Sequence, residues 1–319
     1  MSKKRVGFYF LLFNLFFFLI SSPFIIFYGP FQSLKGFTVN TILTSRHPQV
    51  VDFFLSQEKI NEIAKRNKQN PIIVEPVIHT KENIIVDNKN HIRIENIEGK
   101  YFKGKVMLVK DPSQVKIAVT KEIGTAGQRL SEMVLDNQAI AGINGGGFYD
   151  PNAQGNGAFP DGITVQDGIV VHNNTDDVEV NIIGFDNQDR LILKNMNIIQ
   201  VYANKIQNAV TFNPNLILDN EPLIQGDGGW GIAPRTGIGQ KSDGTVIFVV
   251  IDGRQPSWSM GATLRDLMNV FIEYGAVNAA NLDGGSSTEM IYNDQIINSL
   301  WNIYGERYIP TAFVVLPSN

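Results

Sequence analysis

The segment from Val6 to Tyr28, VGFYFLLFNLFFFLISSPFIIFY, contains no charged residue and follows directly on Lys3, Lys4 and Arg5. It is about as long as the ~20 residues a helix needs to cross a bilayer. It is apolar on every helical face, which a core covering one side would not require. Residues 1–30 therefore read as a membrane anchor, with the basic flank in the cytoplasm and the chain from Phe31 onward outside. A cleaved signal would have a shorter apolar region and a small-x-small site. LISSPF offers only Ser22 followed by Pro23, so the anchor is expected to stay uncleaved.

This placement narrows the chemistry open to the rest of the 319 residues. There is no cysteine, and the four histidines, His47, His79, His91 and His172, are scattered. Disulfides, thiolate nucleophiles and zinc helices are thereby excluded. Catalysis would have to come from carboxylates, arginines, amides and hydroxyls. No cofactor is required by the sequence, and the metal ligands, if any, are unassigned; aspartate oxygens leave room for calcium or magnesium. A formal charge of -4 with no basic stripe argues against a nucleic-acid partner.

Residues 31–71 read as a stalk with one short helix in Gln49–Pro71, where Val50, Phe53, Phe54, Ile60 and Ile63 have partly helical spacing. From Ile72 to Asn319 the pattern is that of an α+β domain with a mixed β-sheet. IIVEPVI, HIRIENI, YFKGKVMLV and VKIAVT read as strands between turn residues. Hairpins are expected at Asp167-Gly168 and at Asn293-Asp294. One helix should follow Gly124, with Leu130, Met133 and Val134 on its inner face. A second, TLRDLMNVFIEYG, should be capped by Thr263 and ended by Gly275. The apolar runs TVIFVVIDGR and VNAANLD on either side of that second helix complete a predicted βαβ unit. Its parallel strands would bring Asp252 and Asp283 to one carboxyl edge, about 4.8 Å apart if the strands are neighbours.

Four glycine-rich clusters sit at predicted strand ends: AGINGGGFYDP, APRTGIGQ, IDGRQPSWSMG and NLDGGSST. Any one of them is ordinarily a turn or a close backbone approach. Their order and spacing, with the closing GERYIPTAFVV, resemble the phosphodiester glycosidase family over about Ile92 to Val315. Gly237 stands where that family more often has alanine, and NEPLIQGDGGW is atypical of it, which leaves Glu221 and Asp227 without a role.

The resemblance implies hydrolysis on the sugar side of a sugar-1-phosphate diester, an N-acetylhexosamine-like link in a cell-envelope or exopolysaccharide glycan. Arg235 and Arg254 would hold the phosphate through bidentate bonds. Asp283 and Asp252 would assist at an oxocarbenium-like transition state, with their roles interchangeable and retaining or inverting outcome open. Backbone amides at Gly284 and Gly285 would form an anion nest, with Ser286 and Ser287 as hydroxyl donors. Asn144 would bind an acetamido group or ring hydroxyl, with Gly145 and Gly146 allowing close approach.

Structural readings compete with these. Both aspartates precede glycine and could simply initiate turns. Arg307 could be an internal ion-pair partner or a substrate contact, and Phe148 and Tyr149 could be walls or sugar platforms. His172 reads as an ordinary strand-end residue. A non-catalytic cell-wall glycan-binding module and a metal-dependent phosphodiesterase are the alternative functions.

Overall fold

The computed structural model describes residues 3–43, 48–69, 78–150, 156–302 and 304–318. Two compact units partition the chain: Met1–Pro71 with Gly229–Gly231, and Ile72–Gly228 with Ile232–Asn319.

In the first unit, helix α1 (Lys3–Tyr28) includes Gly7–Tyr28, a stretch long and apolar enough to cross a membrane and left almost wholly uncovered. The following residues are more than the expected spacer with one helix. Helix α2 (Gln32–Leu43), a 3-10 turn at Pro48–Phe53 and helix α3 (Gln57–Gln69) bury Val39, Val51, Ile60 and Ile63 around Phe27. Phe27 stacks on Phe54 at 4.5 Å, and the Tyr28 hydroxyl donates to the Phe54 carbonyl at 2.6 Å. The apolar helix thus ends in a small packed core.

The second unit is built from three main sheets whose described ladders are all antiparallel. The largest runs, in spatial order, Ile78–Asp87, Ile92–Glu98, Lys103–Val109, Val246–Ile251, Arg235–Lys241, Ala276–Leu282, Asn215–Leu218 and Glu221–Pro222. One five-stranded sheet is ordered Gln295–Ile296, Met290–Tyr292, Ala141–Asn144, Thr311–Val315 and Val115–Val119. The other is Leu191–Met196, Val180–Asp186, Ile206–Thr211, Ile163–Gln166 and Ile169–Asn173. Their inner faces share one core. Phe313 meets Phe185 and Phe248 with ring centroids 6.4 and 6.3 Å apart, so one aromatic from each sheet joins at the centre.

Local signals act as the sequence predicts. Asp167 and Gly168 have φ of 47° and 78°, as a type I′ hairpin turn needs, and Asn293 and Asp294 have 47° and 60°. Helix α4 (Leu130–Asp136) buries Leu130, Met133 and Val134; helix α5 (Ile198–Ala203) is a short addition. Helix α6 (Leu264–Glu273) starts at Thr263, whose side chain accepts from the Asp266 N–H while Asp266 returns the bond. The expected strand IIVEPVI lies outside the described residues except for Ile78.

The predicted βαβ unit needs correction. Val246–Ile251 and Ala276–Leu282 run in the same direction, but Arg235–Lys241 lies between them, antiparallel to both. Asp252 and Asp283 therefore follow strands two spacings apart, about 9–10 Å rather than one. The intervening strand was hard to see because Gly237 and Gly239 break its β pattern. Those glycines have a packing reason. A Cβ on Gly237 would lie 2.8 Å from the Phe271 ring of α6, and one on Gly239 also 2.8 Å from it. Phe271 is fully buried, so the ring has no free direction in which to retreat. Gly237→Ala should lower unfolding free energy by about 1–3 kcal/mol from overpacking. Chemical denaturation would measure this, and Gly237→Ala combined with Phe271→Leu should recover part of the loss.

Candidate active site

The four glycine clusters meet around the loop Asp283–Thr288, and the Asn144 amide fixes that loop. Its Nδ2 donates to the Asp283 carbonyl at 2.6 Å. Its Oδ1 accepts from the Thr236 hydroxyl at 2.7 Å and from the Glu289 N–H at 3.2 Å. Asn144 is 1% exposed and spans two sheets. Both ends of its amide are engaged inside the protein, so it braces the loop and is not the sugar contact expected from the sequence. Gly145 and Gly146 are also packing positions. A Cβ on either would lie 2.6 Å from Thr311 Oγ1 or 2.7 Å from the Thr211 carbonyl, and their N–H groups bond Thr311.

Asp283 is partly buried, and its Oδ2 is enclosed with no hydrogen-bond partner. Burial raises its carboxyl above the ordinary range, against hydrogen bonds from the Ser287 hydroxyl and the Gly284 N–H and attraction from Arg307. Arg307 lies in a built position. Its Nη2 pairs with Asp150 at 2.6 Å, and its Nη1 donates to Ser286 and Ser287 Oγ at 3.1 and 3.4 Å. Its guanidinium lies over Phe148 at 4.6 Å. The ion-pair reading of Arg307 and the wall reading of Phe148 thus describe their places, while Tyr149 is 60% exposed. Through Ser287, Arg307 reaches the Asp283 carboxylate.

Arg235 and Arg254 lie close enough for their charges to act on one another, with Arg254 against Gly285 of the same loop. Arg235 is buried, donates from Nε to the Ala262 carbonyl at 3.0 Å, and has its pKa lowered to about 10 by desolvation and then by the Arg254 charge. Asp266 and Asp227 oppose that shift, which gives Asp227 an electrostatic part. A Cβ on Gly285 would lie 3.3 Å from Arg254 Nη2, so the glycine leaves space for the guanidinium. Arg254 lies over Trp301 at 4.9 Å and holds a left-handed φ of 59°, a conformation costing roughly 1–2 kcal/mol for a residue with a Cβ. The expected nest is partly used by the protein itself: the Gly284 N–H serves Asp283 and the Gly285 N–H donates to the Pro234 carbonyl at 3.0 Å.

Asp252 does not share this place. Its Oδ2 accepts from Trp258 Nε1 at 2.8 Å, and its Oδ1 accepts from Asn298 Nδ2 and the Ser299 N–H at 3.1 and 3.0 Å. Desolvation raises its pKa despite these bonds. A carboxylate whose two oxygens take three protein donors clasps two loops together. It is not poised as a base or nucleophile, and the expected Asp252–Asp283 pair is replaced by a different neighbour.

That neighbour is Asp161, which the sequence reading passed over. Its N–H donates to the Gly147 carbonyl at 2.9 Å, while the Asp283 N–H donates to the Gly145 carbonyl at 3.2 Å. The negative charge of Asp161 contributes to the raised pKa of Asp283. The signal was present: Asp161 precedes Gly162, the same Asp-Gly grammar as Asp252 and Asp283. Glu289 was also missed. It is 3% exposed, and burial beside the Glu306 carboxyl pushes it up to about 9. Glu306 accepts from the Ser131 N–H and hydroxyl at 2.8 and 2.7 Å, so Glu289 keeps the proton. Among the described residues no cluster of three or more His, Asp or Glu side chains is arranged to hold a metal ion.

Residues 137–316 match the phosphodiester glycosidase family model, and the chain belongs to that family. A curated relative, the SPbeta prophage-derived protein YomE of Bacillus subtilis strain 168, is 23% identical over 210 residues, 61% of this chain. The match spans 31% of that relative's length. Among solved structures, the catalytic domain of zebrafish N-acetylglucosamine-1-phosphodiester alpha-N-acetylglucosaminidase, auto-inhibited by its pro-peptide, superposes with a TM-score of 0.59 at 18% identity. That alignment covers 78% of this chain and 85% of the other. A Burkholderia pseudomallei K96243 protein gives a TM-score of 0.52 at 18% identity, covering 68% and 74%. These likenesses establish a shared fold.

The Glu289 proton has a consequence for stability. Its folded pKa lies near 9 against 4.5 for a free glutamate side chain. The folded chain therefore holds a proton that the unfolded chain releases, and stability present below about pH 4.5 is lost as pH rises toward 9. The slope from this group is about 1.4 kcal/mol per pH unit inside that window. Glu289→Gln should differ little from the parent at pH 5 and be more stable at pH 8, as read from denaturant midpoints.

Proposed function

We propose that this site cleaves the sugar side of a sugar-1-phosphate diester in a cell-envelope or exopolysaccharide glycan, on the extracytoplasmic face. The observation carrying this reading is the pairing of two unlike features on one loop. The Arg254 guanidinium lies against Gly285 and repels that of Arg235, and the carboxylate of Asp283 stands two residues from Gly285 with an enclosed, unpartnered oxygen. Asp266 and Asp227 already act on Arg235 from inside the protein. A phosphodiester would add an anion that takes charge-assisted bonds from guanidinium groups. Family membership supports glycosidic chemistry at the same place.

The chemistry follows from charge. As the bond between the anomeric carbon and the phosphate oxygen breaks, its electron pair leaves on the phosphate monoester and positive charge develops on the sugar; water oxygen in the end bonds the anomeric carbon and gives up a proton, which yields the free sugar. The arginines stabilise the first charge, and the Asp283 carboxylate stabilises the second. Because the leaving group is already a good one, electrostatic stabilisation of phosphate matters more than donation of a proton to it. Arg307, through Ser287, holds the Asp283 carboxylate in place and favours its ionised form. The apolar helix Gly7–Tyr28 would keep the site at the membrane surface, next to envelope polymers.

The test is incubation of the detergent-solubilised full chain with an N-acetylhexosamine-1-phosphate diester. Release of free sugar supports the reading. Sugar phosphate as product would establish a phosphodiesterase instead, and saturable binding without product a glycan-binding module. Asp283→Asn should lower kcat about 10²–10⁴-fold with an unchanged melting temperature. Its raised carboxyl also means that kcat should climb with pH at values above the ordinary aspartate range. Arg254→Gly should raise KM about 10–100-fold, with stability unchanged or slightly higher, because glycine relieves the left-handed backbone.

A further inference from the structure

The loop Asp283–Thr288 divides the site into a half rich in donors and a half rich in unmet acceptors. The donor half is Arg235 and Arg254. The acceptor half is formed by Asp283, Asp161 and His172.

Its geometry rests on the three-residue run Gly145–Gly147. Asp283 docks on the carbonyl of Gly145 and Asp161 on that of Gly147. Residues i and i+2 of a chain are at most about 7 Å apart, so both aspartates enter one small region. Gly147 gives Asp161 its room: a Cβ there would lie 3.0 Å from Asp161 Oδ2. Asp161 is exposed to solvent, yet neighbouring groups crowd it enough for desolvation to raise its carboxyl. No described residue donates a hydrogen bond to that carboxylate. His172 approaches from the Ile169–Asn173 strand, close enough for its charge and that of Asp161 to act on one another. Its ring bonds the Pro160 carbonyl, and burial favours the neutral imidazole. The other nitrogen, Nε2, is buried without a partner and is left as an acceptor.

Asp283 Oδ2 and His172 Nε2 are buried without donors, and the solvent-exposed Asp161 carboxylate in the same neighbourhood takes none from the described residues. Buried acceptors without partners are costly, and a ligand carrying several hydroxyls could donate to this group of acceptors together. A cation would do so too, but these groups do not gather into a metal-binding arrangement.

We propose that Asp161 and His172 form the hydroxyl-recognising subsite for the sugar ring, placing it beside Asp283 with the phosphate toward Arg235 and Arg254. The orientation of the substrate is then fixed by the division of charge across one loop. Asp161 and His172 determine which sugar is accepted without taking part in bond cleavage. This inference rests on the proposed glycosidase reading, but it can be tested separately because binding requires no turnover.

The experiment measures binding of inorganic phosphate and of three free sugars, glucose, N-acetylglucosamine and N-acetylgalactosamine, to the full chain in detergent by ligand-observed NMR. Asp161→Ala should weaken the best-bound sugar about tenfold or more, the scale of a lost charged hydrogen bond, while phosphate affinity stays within twofold. Arg254→Gly should do the reverse. His172→Gln, which keeps a polar side chain, should shift the preference among the three sugars. Thermal melts of each variant establish that it is folded, and retained phosphate binding in Asp161→Ala gives a second check. Equal loss of sugar and phosphate in Asp161→Ala overturns the proposal, as does no change in either or absence of saturable binding for all three sugars. Calcium binding that Asp161→Ala abolishes would make the acceptors a cation site and also overturn it. The crossover without any hydrolysis would leave the subsite standing and remove the glycosidase reading. Hydrolysis without the crossover would do the opposite.

Discussion

The carboxamide of Asn144 is the interaction on which the site depends. Three hydrogen bonds converge on one side chain that is 1% exposed, joining a strand end, a second sheet and both ends of the Asp283–Glu289 segment. Inside a low-dielectric core each such bond is strengthened, and each would be costly to leave unmade. Removing the amide would strand the Thr236 hydroxyl and the Glu289 N–H and release the carbonyl of Asp283. The loop needs this brace because glycines at 284 and 285 give it little rigidity of its own.

Around that brace the polar groups separate by task. Asp252 is saturated by three donors and ties together the segments at Trp258 and Asn298–Ser299. Asp283 is held by Ser287 and Gly284 and keeps one oxygen enclosed without a donor. The difference between two Asp-Gly sequences is therefore the count of donors that the tertiary structure delivers to each. Arg307 shows the same principle: anchored by Asp150, Ser286 and Ser287, it acts on Asp283 through its position.

Much of the scaffold was legible from local chemistry. Positive-φ residues at Asp167-Gly168 and Asn293-Asp294 marked hairpins, Thr263 with Asp266 marked a helix start, and an uncharged apolar run marked a membrane-length helix. These signals depend on residues close in the chain, where sterics and capping bonds leave few options. The Arg235–Lys241 strand was obscured because its glycines answer to Phe271 on a helix beginning 23 residues after the strand ends, and no period within RTGIGQK reveals that ring. The stalk likewise concealed a small core, since Phe27 and Phe54 find each other only once the intervening helices fold back.

The sequence alone determined the apolar helix, the absence of thiol chemistry, the family and the set of glycine, arginine and aspartate clusters from which a site would be built. Tertiary structure decided which members of that set act together. It separated Asp252 from Asp283 by an intervening strand, brought Arg235 beside Arg254, and placed Asp161 and His172 where no motif had pointed. The physical reason is that a carboxylate's role depends on its desolvation and its donors. Both are supplied by residues distant in sequence, and neither is encoded in the Asp-Gly pair itself.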